Sequence, residues 1–272
     1  MSAQRIAIVQ HCATEDVAQN LTTCETLCAQ AASEGAEAIF LPEAFAFIGR
    51  DSERRQILEP LPEGGPILSR CAALARQCNA DLILGGFHEQ VPGSGLAANT
   101  AVHLNTAGEV VQTYRKLHLF DVDLPDGTRL QESARTMAGD TITLTELGFG
   151  TLGLSICYDL RFPELYQKLA DRGAIAVTVP SAFTATTGAA HWHVLLRARA
   201  IEAQCYVIAP AQHGQHNAQR RSYGHSLVID PWGSIIAELG EGDGYALATI
   251  DPERVASVRQ ALPSREHRRS LE

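Results

Sequence analysis

Short apolar runs alternate with amphipathic stretches along the whole chain, and this alternation is the feature that most limits its possible folds. Residues 5–9 are rich in β-branched side chains and predict a first strand. Residues 15–34 place apolar side chains on one helical face, and Gly35 provides a stop for that helix. Residues 38–41 form a second buried run, which Pro42 ends. The chain is therefore predicted to begin with a strand, a helix and another strand.

The same alternation continues through the rest of the chain. Pro66 suits the first position of a second helix, and a strand is predicted over 81–87. The remaining predicted elements are hairpins over 100–114 and 226–237, paired strands at 141–144 and 151–156, helices at 163–172 and 191–203, and strands at 175–179 and 206–209. This order predicts an α/β fold, with one mixed sheet or two sheets covered by helices, and a single domain over 1–272.

Composition and charge exclude several classes of protein. The chain has 272 residues, of which 45% are apolar, which is enough for a sizeable core. Its net charge of −9 argues against non-specific binding to nucleic acid, and no apolar run is long enough to span a membrane. The seven cysteines are scattered without a C-x-x-C pair, so reduced thiols are expected instead of a disulfide framework or a zinc ribbon. We expect a cytoplasmic protein that acts on a small molecule.

Three reactive side chains follow predicted strands, at the points where the buried runs stop. Glu43 follows one such run, Lys116 follows the strand that ends at Tyr114, and Cys157 follows the run 151–156. Because ligands of α/β sheets bind outside the carboxyl ends of the strands, these side chains could lie together. A thiolate can attack a carbonyl, a carboxylate can move its proton, and an ammonium can stabilise the oxyanion. Taken singly, each residue also has an ordinary alternative role as a surface or core side chain.

The sequence around each of the three residues resembles a segment of the nitrilase superfamily of carbon–nitrogen hydrolases. The matching segments are 41–45, 114–121 and 153–165, and they occur in the order typical of that family. The resemblance covers nearly the whole chain and implies an αββα sandwich that packs through a helical face into a homodimer. We expect the C-terminal tail, about 252–272, to pack on the dimer partner. No cofactor is expected.

The resemblance also implies a role for each residue. It makes Glu43 the general base, Lys116 the residue that stabilises the oxyanion, and Cys157 the nucleophile. The backbone N–H of Tyr158 is the expected second donor to the oxyanion. Glu132 fits the place of a further glutamate that positions the substrate or the lysine, and a loop carboxylate is the alternative interpretation.

The C-terminal half of the chain is most similar to the Nit branch of this superfamily. Within that branch, 197–206 and 222–225 resemble amidases of deaminated glutathione, whereas ω-amidases of α-ketoglutaramate usually carry an Arg-Asp-rich loop where this chain has 212–222. We therefore predict an amidase that hydrolyses a small carboxamide to a carboxylate and ammonia through a cysteine thioester, with deaminated glutathione as the expected substrate. An ω-amidase and a non-catalytic partner-binding protein are the alternatives.

A substrate with carboxylates needs cations in the pocket, and several residues of the C-terminal half are candidates for binding it. For the arginines among them, surface ion pairs are the alternative role. The residues expected to contact the substrate are Arg161, Phe183, Thr187, His191, Arg197 and Arg199.

The histidines at positions 191 and 193 suggest an alternative chemistry. They could be ligands in a metal-dependent amidohydrolase, but His213 and His216 lie in a polar loop without a supporting pattern. We therefore predict no metal site, and packing and hydrogen bonding are the expected roles of His191 and His193. His193 also stands where the Nit pattern usually has Glu, which alters the charge at that position. A serine nucleophile at Ser155 is not expected, because the closing glycine of a nucleophile elbow is missing.

Overall fold

Two six-stranded mixed sheets form the centre of the computed structural model, which describes residues 2–123 and 129–269. The strands of the first sheet are β1 (Gln4–Gln10), β2 (Ala38–Phe40), β3 (Asp81–Gln90), β4 (Ala97–Leu104), β5 (Val110–Arg115) and β16 (Gly244–Ile250). Their order across the sheet is β16–β1–β2–β3–β4–β5. The strands of the second sheet are β8 (Leu144–Leu147), β9 (Gly150–Gly153), β10 (Ala176–Thr178), β11 (Tyr206–Ala209), β14 (Leu227–Ile229) and β15 (Ile235–Glu238). Their order is β15–β14–β11–β10–β9–β8.

Helices and two small hairpins surround these sheets. The helices of the described residues are α1 (Val17–Ser33), α2 (Asp51–Arg54), α3 (Pro66–Cys78), α4 (Pro163–Asp171), α5 (Ala185–Ala203) and α6 (Pro252–Ala261). The hairpin strands are β6 (Asp121–Asp123), β7 (Arg129–Gln131), β12 (His213–Gln215) and β13 (Arg221–Tyr223). None of the described helices has the length and apolar character needed to cross a membrane.

The alternation of side chains along the strands produces four layers. Ala7 and Val9 of β1 belong to the apolar cluster that also contains the buried faces of α1 and α3. Ile6 and Ile8, which point to the opposite face, belong to the cluster between the two sheets. That second cluster continues through the other sheet to Trp192 on α5 and the buried side of α4. The layers are therefore helix, sheet, sheet and helix, and the expected αββα sandwich is confirmed.

Two consecutive glycines of β3 allow the segment after β2 to lie directly against it. A Cβ atom on Gly85 would come 2.2 Å from the carbonyl oxygen of Leu41 and 2.3 Å from Cβ of Pro180. A Cβ atom on Gly86 would come 2.9 Å from Cγ of Glu43. Because Pro180 follows β10 of the other sheet, this close approach occurs where loops from the two sheets meet.

Several element boundaries differ from the sequence predictions. The two strands expected as a pair at 141–144 and 151–156 do pair, but their bounds differ. They are β8 and β9, and Leu147 and Gly150 lie opposite each other at the tight turn between them. Helix α5 begins at Ala185, six residues before its predicted start, in a stretch of small side chains without an apolar period. Strand β16 and helix α6 were not predicted as elements.

Helix α6 begins the C-terminal tail and packs against other residues of the same chain. Val255 and Val258 are buried, and the guanidinium of Arg259 donates to the carbonyl oxygen of Ala174 over 2.9 Å. The packing of this tail on a dimer partner stays a prediction.

Candidate active site

The structure brings together the three residues that the sequence places at strand ends. Glu43 lies in the turn after β2, Lys116 follows β5 directly, and Cys157 begins a short 3-10 helix, Cys157–Arg161. Nζ of Lys116 donates to Oε1 of Glu43 over 3.1 Å, and the thiol of Cys157 is hydrogen-bonded to the same carboxylate. All three side chains are buried and line one cavity of about 190 Å³.

The carboxylate of Glu43 is held in its ionised form. Burial by itself would raise its pKa, but the charge of Lys116 and hydrogen bonds from Cys157 and Ala182 outweigh burial and lower that pKa to about 2. The N–H of Ala182 donates to Oε2 of Glu43 over 2.8 Å. Because Ala182 follows β10, this carboxylate connects the loops of the two sheets.

The thiol of Cys157 is neutral in this arrangement. Burial raises its pKa, and the negative charge of Glu43 raises it further against the opposing effect of Lys116. The backbone at Cys157 has a φ of 46°, in the left-handed region that side-chain-bearing residues rarely adopt. Its N–H donates to the carbonyl oxygen of Pro180 over 2.9 Å. This bond joins the segments that follow β9 and β10 and holds the conformation of Cys157.

Lys116 is held as an ammonium between two carboxylates. Burial would lower its pKa, but the charges of Glu132 and Glu43 raise it well above its ordinary value. Its Nζ donates to Oε2 of Glu132 over 2.9 Å, and the N–H of Phe120 donates to the same oxygen over 2.7 Å. The glutamate expected beside the lysine is therefore found there, in direct contact with it.

Asn99 joins the two carboxylates, and the sequence analysis did not find it. Its Nδ2 donates to Oε1 of Glu43 over 2.9 Å and to Oε1 of Glu132 over 3.2 Å. The residue lies within β4, where it pairs with His88 of β3. No local motif marks it, because its contacts depend on the pairing of two strands.

Most of the other expected contact residues also lie at the cavity. Tyr158, Arg161, Phe183 and Thr187 line it together with Glu132. The guanidinium carbon of Arg161 lies 5.3 Å from the ring centroid of Phe183 and 5.9 Å from that of Tyr158. His191 reaches the site only through Arg161, since its Nδ1 lies 3.3 Å from Nη2 of that arginine.

Arg197 and Arg199 do not reach the cavity. Nε of Arg197 donates to the carbonyl oxygen of Gly233 over 2.8 Å, in the turn between β14 and β15. Nε of Arg199 donates to the carbonyl oxygen of Leu160 over 2.9 Å, and its Nη1 forms a 2.9 Å ion pair with Glu202. The backbone and side-chain partners on the flanks of α5 hold both guanidinium groups away from the site.

Three further residues of the cavity wall have no marker in the sequence. Arg54 of α2, His88 of β3 and Arg220 of the loop between β12 and β13 all line it. Burial and the charge of Arg54 lower the pKa of His88 to about 4, so this ring is neutral at pH 7. The three come from separate elements, and only the tertiary structure places them on one wall.

The histidines at 191 and 193 do not form a pair of ligands, because side chains two residues apart face different sides of a helix. His193 instead lies with His225 and Glu238, and ligand atoms of these three lie within 4.8 Å of one another. Nε2 of His193 is 2.8 Å from Oε1 of Glu238, and Nδ1 of His225 is 3.2 Å from it. Two imidazoles and a carboxylate could hold a divalent transition metal, but none of the three lines the cavity. His213 is paired with Asp243 at 2.7 Å.

Comparisons with known proteins identify the family of the chain. The model of the carbon–nitrogen hydrolase family matches residues 5–260. The deaminated glutathione amidase of Homo sapiens is 48% identical over 269 residues, which cover 97% of this chain and 82% of that protein.

Two solved structures share the fold. The NitFhit protein of C. elegans has a TM-score of 0.93 at 40% identity and covers 99% of this chain and 66% of its own. Nit3 of Saccharomyces cerevisiae, a member of branch 10 of the nitrilase superfamily, has a TM-score of 0.86 at 33% identity, over 96% of this chain and 95% of its own. The protein described here belongs to the carbon–nitrogen hydrolase family.

Proposed function

We propose that the protein is an amidase that hydrolyses deaminated glutathione. The observation that carries the amidase function is the buried contact of Cys157, Glu43 and Lys116 in one cavity. The name of the human relative supports the substrate. Glutathione is a γ-glutamyl tripeptide, so cleavage of its first amide after deamination releases cysteinylglycine. A primary carboxamide would release ammonia in the same reaction.

The first half of the reaction forms a thioester. Sγ of Cys157 attacks the amide carbonyl as its proton passes to the carboxylate of Glu43. The ammonium of Lys116 and the N–H of Tyr158 stabilise the resulting oxyanion, at about 3 kcal/mol for each donor. Glu43 then gives the proton to the leaving nitrogen, the C–N bond breaks, and the amine departs.

The second half hydrolyses that thioester. Water attacks the acyl carbon as its proton passes to Glu43, and the same two donors stabilise the second oxyanion. The C–S bond then breaks, and Glu43 returns the proton to the departing sulfur. Glu132 and Asn99 do not take part in proton transfer in this scheme. They hold Lys116 and Glu43 at their positions through the hydrogen bonds described above.

A substrate comparison tests this function. The purified protein is assayed with deaminated glutathione, α-ketoglutaramate and glutamine, and the released amine or ammonia gives kcat/KM for each. We expect the highest value for deaminated glutathione. The Cys157→Ala variant is expected to lose all turnover, whereas Cys71→Ala, which removes a buried thiol of α3, is expected to keep it.

The same assay separates the alternatives. A highest kcat/KM for α-ketoglutaramate would assign the protein as an ω-amidase. A folded protein without turnover of any of the three amides would favour a non-catalytic partner-binding role. Turnover retained by Cys157→Ala would exclude Cys157 as the nucleophile.

The homodimer is part of the same proposal, and an exposed apolar surface on one side of the molecule supports it. Val194 and Ile201, which share a face of α5, are 68% and 46% exposed, and Trp232 and Ile236 near them are 54% and 43% exposed. A Cβ on Gly233 would lie 2.7 Å from Cδ1 of Ile201, so the turn at Trp232 packs beside the helix. Surfaces of this kind are usually covered in solution, and we propose a second copy of the chain as the partner.

The oligomeric state can be measured by sedimentation velocity. We expect a dimer for the native chain and a monomer for Val194→Glu, because the introduced carboxylate would be buried without a partner. Val111, which is 47% exposed on β5, provides the control, and Val111→Glu is expected to remain dimeric. The cytoplasmic location stays a prediction. All seven cysteines lie in the described part of the chain as free thiols, which supports it.

A further inference from the structure

Arg54 and Arg220 of the cavity wall have no carboxylate partner among the residues that the structure describes. Nη2 of Arg54 donates to Oγ1 of Thr136 over 3.1 Å, and its buried Nε has no hydrogen-bond partner. The guanidinium of Arg220 takes part in no ion pair or side-chain hydrogen bond within the described ranges 2–123 and 129–269. Both side chains line the cavity that contains Cys157.

This arrangement contrasts with other arginines of the chain. Arg70, Arg115 and Arg254 are each bound to a carboxylate, at distances of 2.8, 2.5 and 2.8 Å. The whole protein carries nine more negative than positive charges, so carboxylates are plentiful. Arg54 and Arg220 differ from these ion-paired arginines, and both of them line the same cavity.

The two charges act on the same part of the wall. Burial lowers the pKa of Arg54, the charge of Glu132 opposes this effect, and the nearby charge of Arg220 makes a smaller lowering contribution. Both arginines also lower the pKa of His88. The carboxylates of Glu43 and Glu132 are bound by Lys116, and neither forms an ion pair with Arg54 or Arg220 among the described residues. An anion entering the cavity would relieve the repulsion between the two guanidinium groups.

We propose that Arg54 and Arg220 form an anion subsite that binds a carboxylate of the amide substrate. The subsite makes the enzyme selective for acidic amides over neutral ones, because a guanidinium binds a carboxylate through two parallel hydrogen bonds. This inference rests on the proposed amidase function and adds to it the residues that bind a carboxylate of the substrate.

Arg161 offers a further cation at the same cavity. It contacts Tyr158, Phe183 and His191, which is a different set of residues from the neighbours of Arg54. Positive charge at this cavity is therefore not confined to Arg54 and Arg220. A substrate with two carboxylates, such as deaminated glutathione, would find a cation for each.

Kinetics of acidic and neutral amides test the subsite. The native protein, Arg54→Met and Arg220→Met are assayed with deaminated glutathione and with the neutral amide butyramide. We expect each substitution to lower kcat/KM for deaminated glutathione about 10- to 100-fold, mostly through KM, and to change it less than about threefold for butyramide. Arg55→Met and Arg221→Met are matched controls, because these exposed neighbours do not line the cavity, and both should leave the two values unchanged. Equal losses for both amides, or no loss for either, would overturn the proposal.

A binding measurement separates this inference from the proposed function. Glutarate, a dicarboxylate without an amide, is titrated by calorimetry into Cys157→Ala and into Cys157→Ala with Arg54→Met or Arg220→Met. We expect the Kd to rise at least about tenfold in both double variants. An unchanged Kd would overturn the subsite even if the native protein hydrolyses amides. A raised Kd in a protein that hydrolyses no amide would retain the subsite and reject the proposed function.

Discussion

Two buried carboxylates of this protein are paired with cations that are neighbours in sequence. Lys116 binds Glu43 in the cavity. Arg115 binds Glu89 outside that cavity, and Nη2 of Arg115 lies 2.5 Å from Oε1 of Glu89. Thr100 also donates to Oε2 of Glu89 over 2.6 Å. Because Glu89, Thr100 and Arg115 come from β3, β4 and β5, this group connects three neighbouring strands of one sheet.

The partners of Glu43 have a different origin. Asn99 and Lys116 come from the first sheet and the loop that follows it, whereas Cys157 and Ala182 follow strands of the second sheet. Burial and ion pairing are common to both carboxylates, so neither property identifies a reactive site. The difference is the partner, since Glu43 faces a thiol in a cavity and Glu89 is enclosed by groups that only stabilise it.

The largest effect expected from this comparison is on turnover. Glu43→Gln removes the proposed acceptor of the thiol proton, and we expect kcat to fall about 10³-fold. Glu89→Gln should change kcat less than about threefold under conditions where both variants are folded. Steady-state assays with deaminated glutathione measure both values. A comparable loss in the two variants would show that the two carboxylates are not functionally distinct.

The second expected effect is on stability, with the opposite ranking. Glu89→Gln weakens the charge-assisted hydrogen bonds from Arg115 and Thr100, and we expect the free energy of unfolding to fall by about 2 kcal/mol. Glu43→Gln should cost about 1 kcal/mol, because Lys116 keeps Glu132 as its partner. Urea denaturation followed by circular dichroism gives both values, and a larger loss for Glu43→Gln would contradict this assignment.

The smallest expected effect concerns acid stability. The pKa of Glu43 is lowered from 4.5 to about 2, so its ionised form stabilises the folded state above about pH 4.5. That contribution is lost as the pH falls toward 2. Between pH 5 and pH 3 the native protein should therefore lose about 1–2 kcal/mol more than Glu43→Gln does. Parallel urea curves at four pH values in this range would measure the difference, and coincident pH dependences would argue against the lowered pKa.

The sequence was sufficient to predict the family, the αββα sandwich and the positions of the residues that converge on the cavity. Glu43, Lys116 and Cys157 each stand in a contiguous segment next to a strand end, so local sequence carries the information. The carbon–nitrogen hydrolase family expected from those segments is confirmed by the match over 5–260. The roles of the individual residues stay predictions until the variants are measured.

Other residues could not be found in this way, because their function depends on tertiary contacts. Asn99 contacts both glutamates only through the pairing of β4 with β3. Arg54 and Arg220 are 166 positions apart in the chain and meet on one wall. Arg197 and Arg199 were wrongly expected to contact the substrate. The sequence places them on a helix, but it does not define how that helix is rotated relative to the cavity.

Strand β16 was missed for a related reason. Strand β16 lies near the C-terminal end of the chain and pairs with β1 near the N-terminal end, with Gln4 opposite Ile250. No short turn connects the two strands, so the local sequence does not indicate their pairing. The His193, His225 and Glu238 group likewise combines α5, the approach to β14 and β15. Contacts between distant segments of this kind require the folded structure.

The left-handed backbone at Cys157 has a consequence for engineering. Holding a residue that has a Cβ atom in that conformation lowers the free energy of unfolding by about 1–3 kcal/mol, and contacts of the surrounding loops must offset this loss. Glycine adopts it without that penalty. Selection for heat resistance alone would therefore favour replacing Cys157, the proposed nucleophile, so thermostable libraries of this enzyme should be screened for activity in the same round.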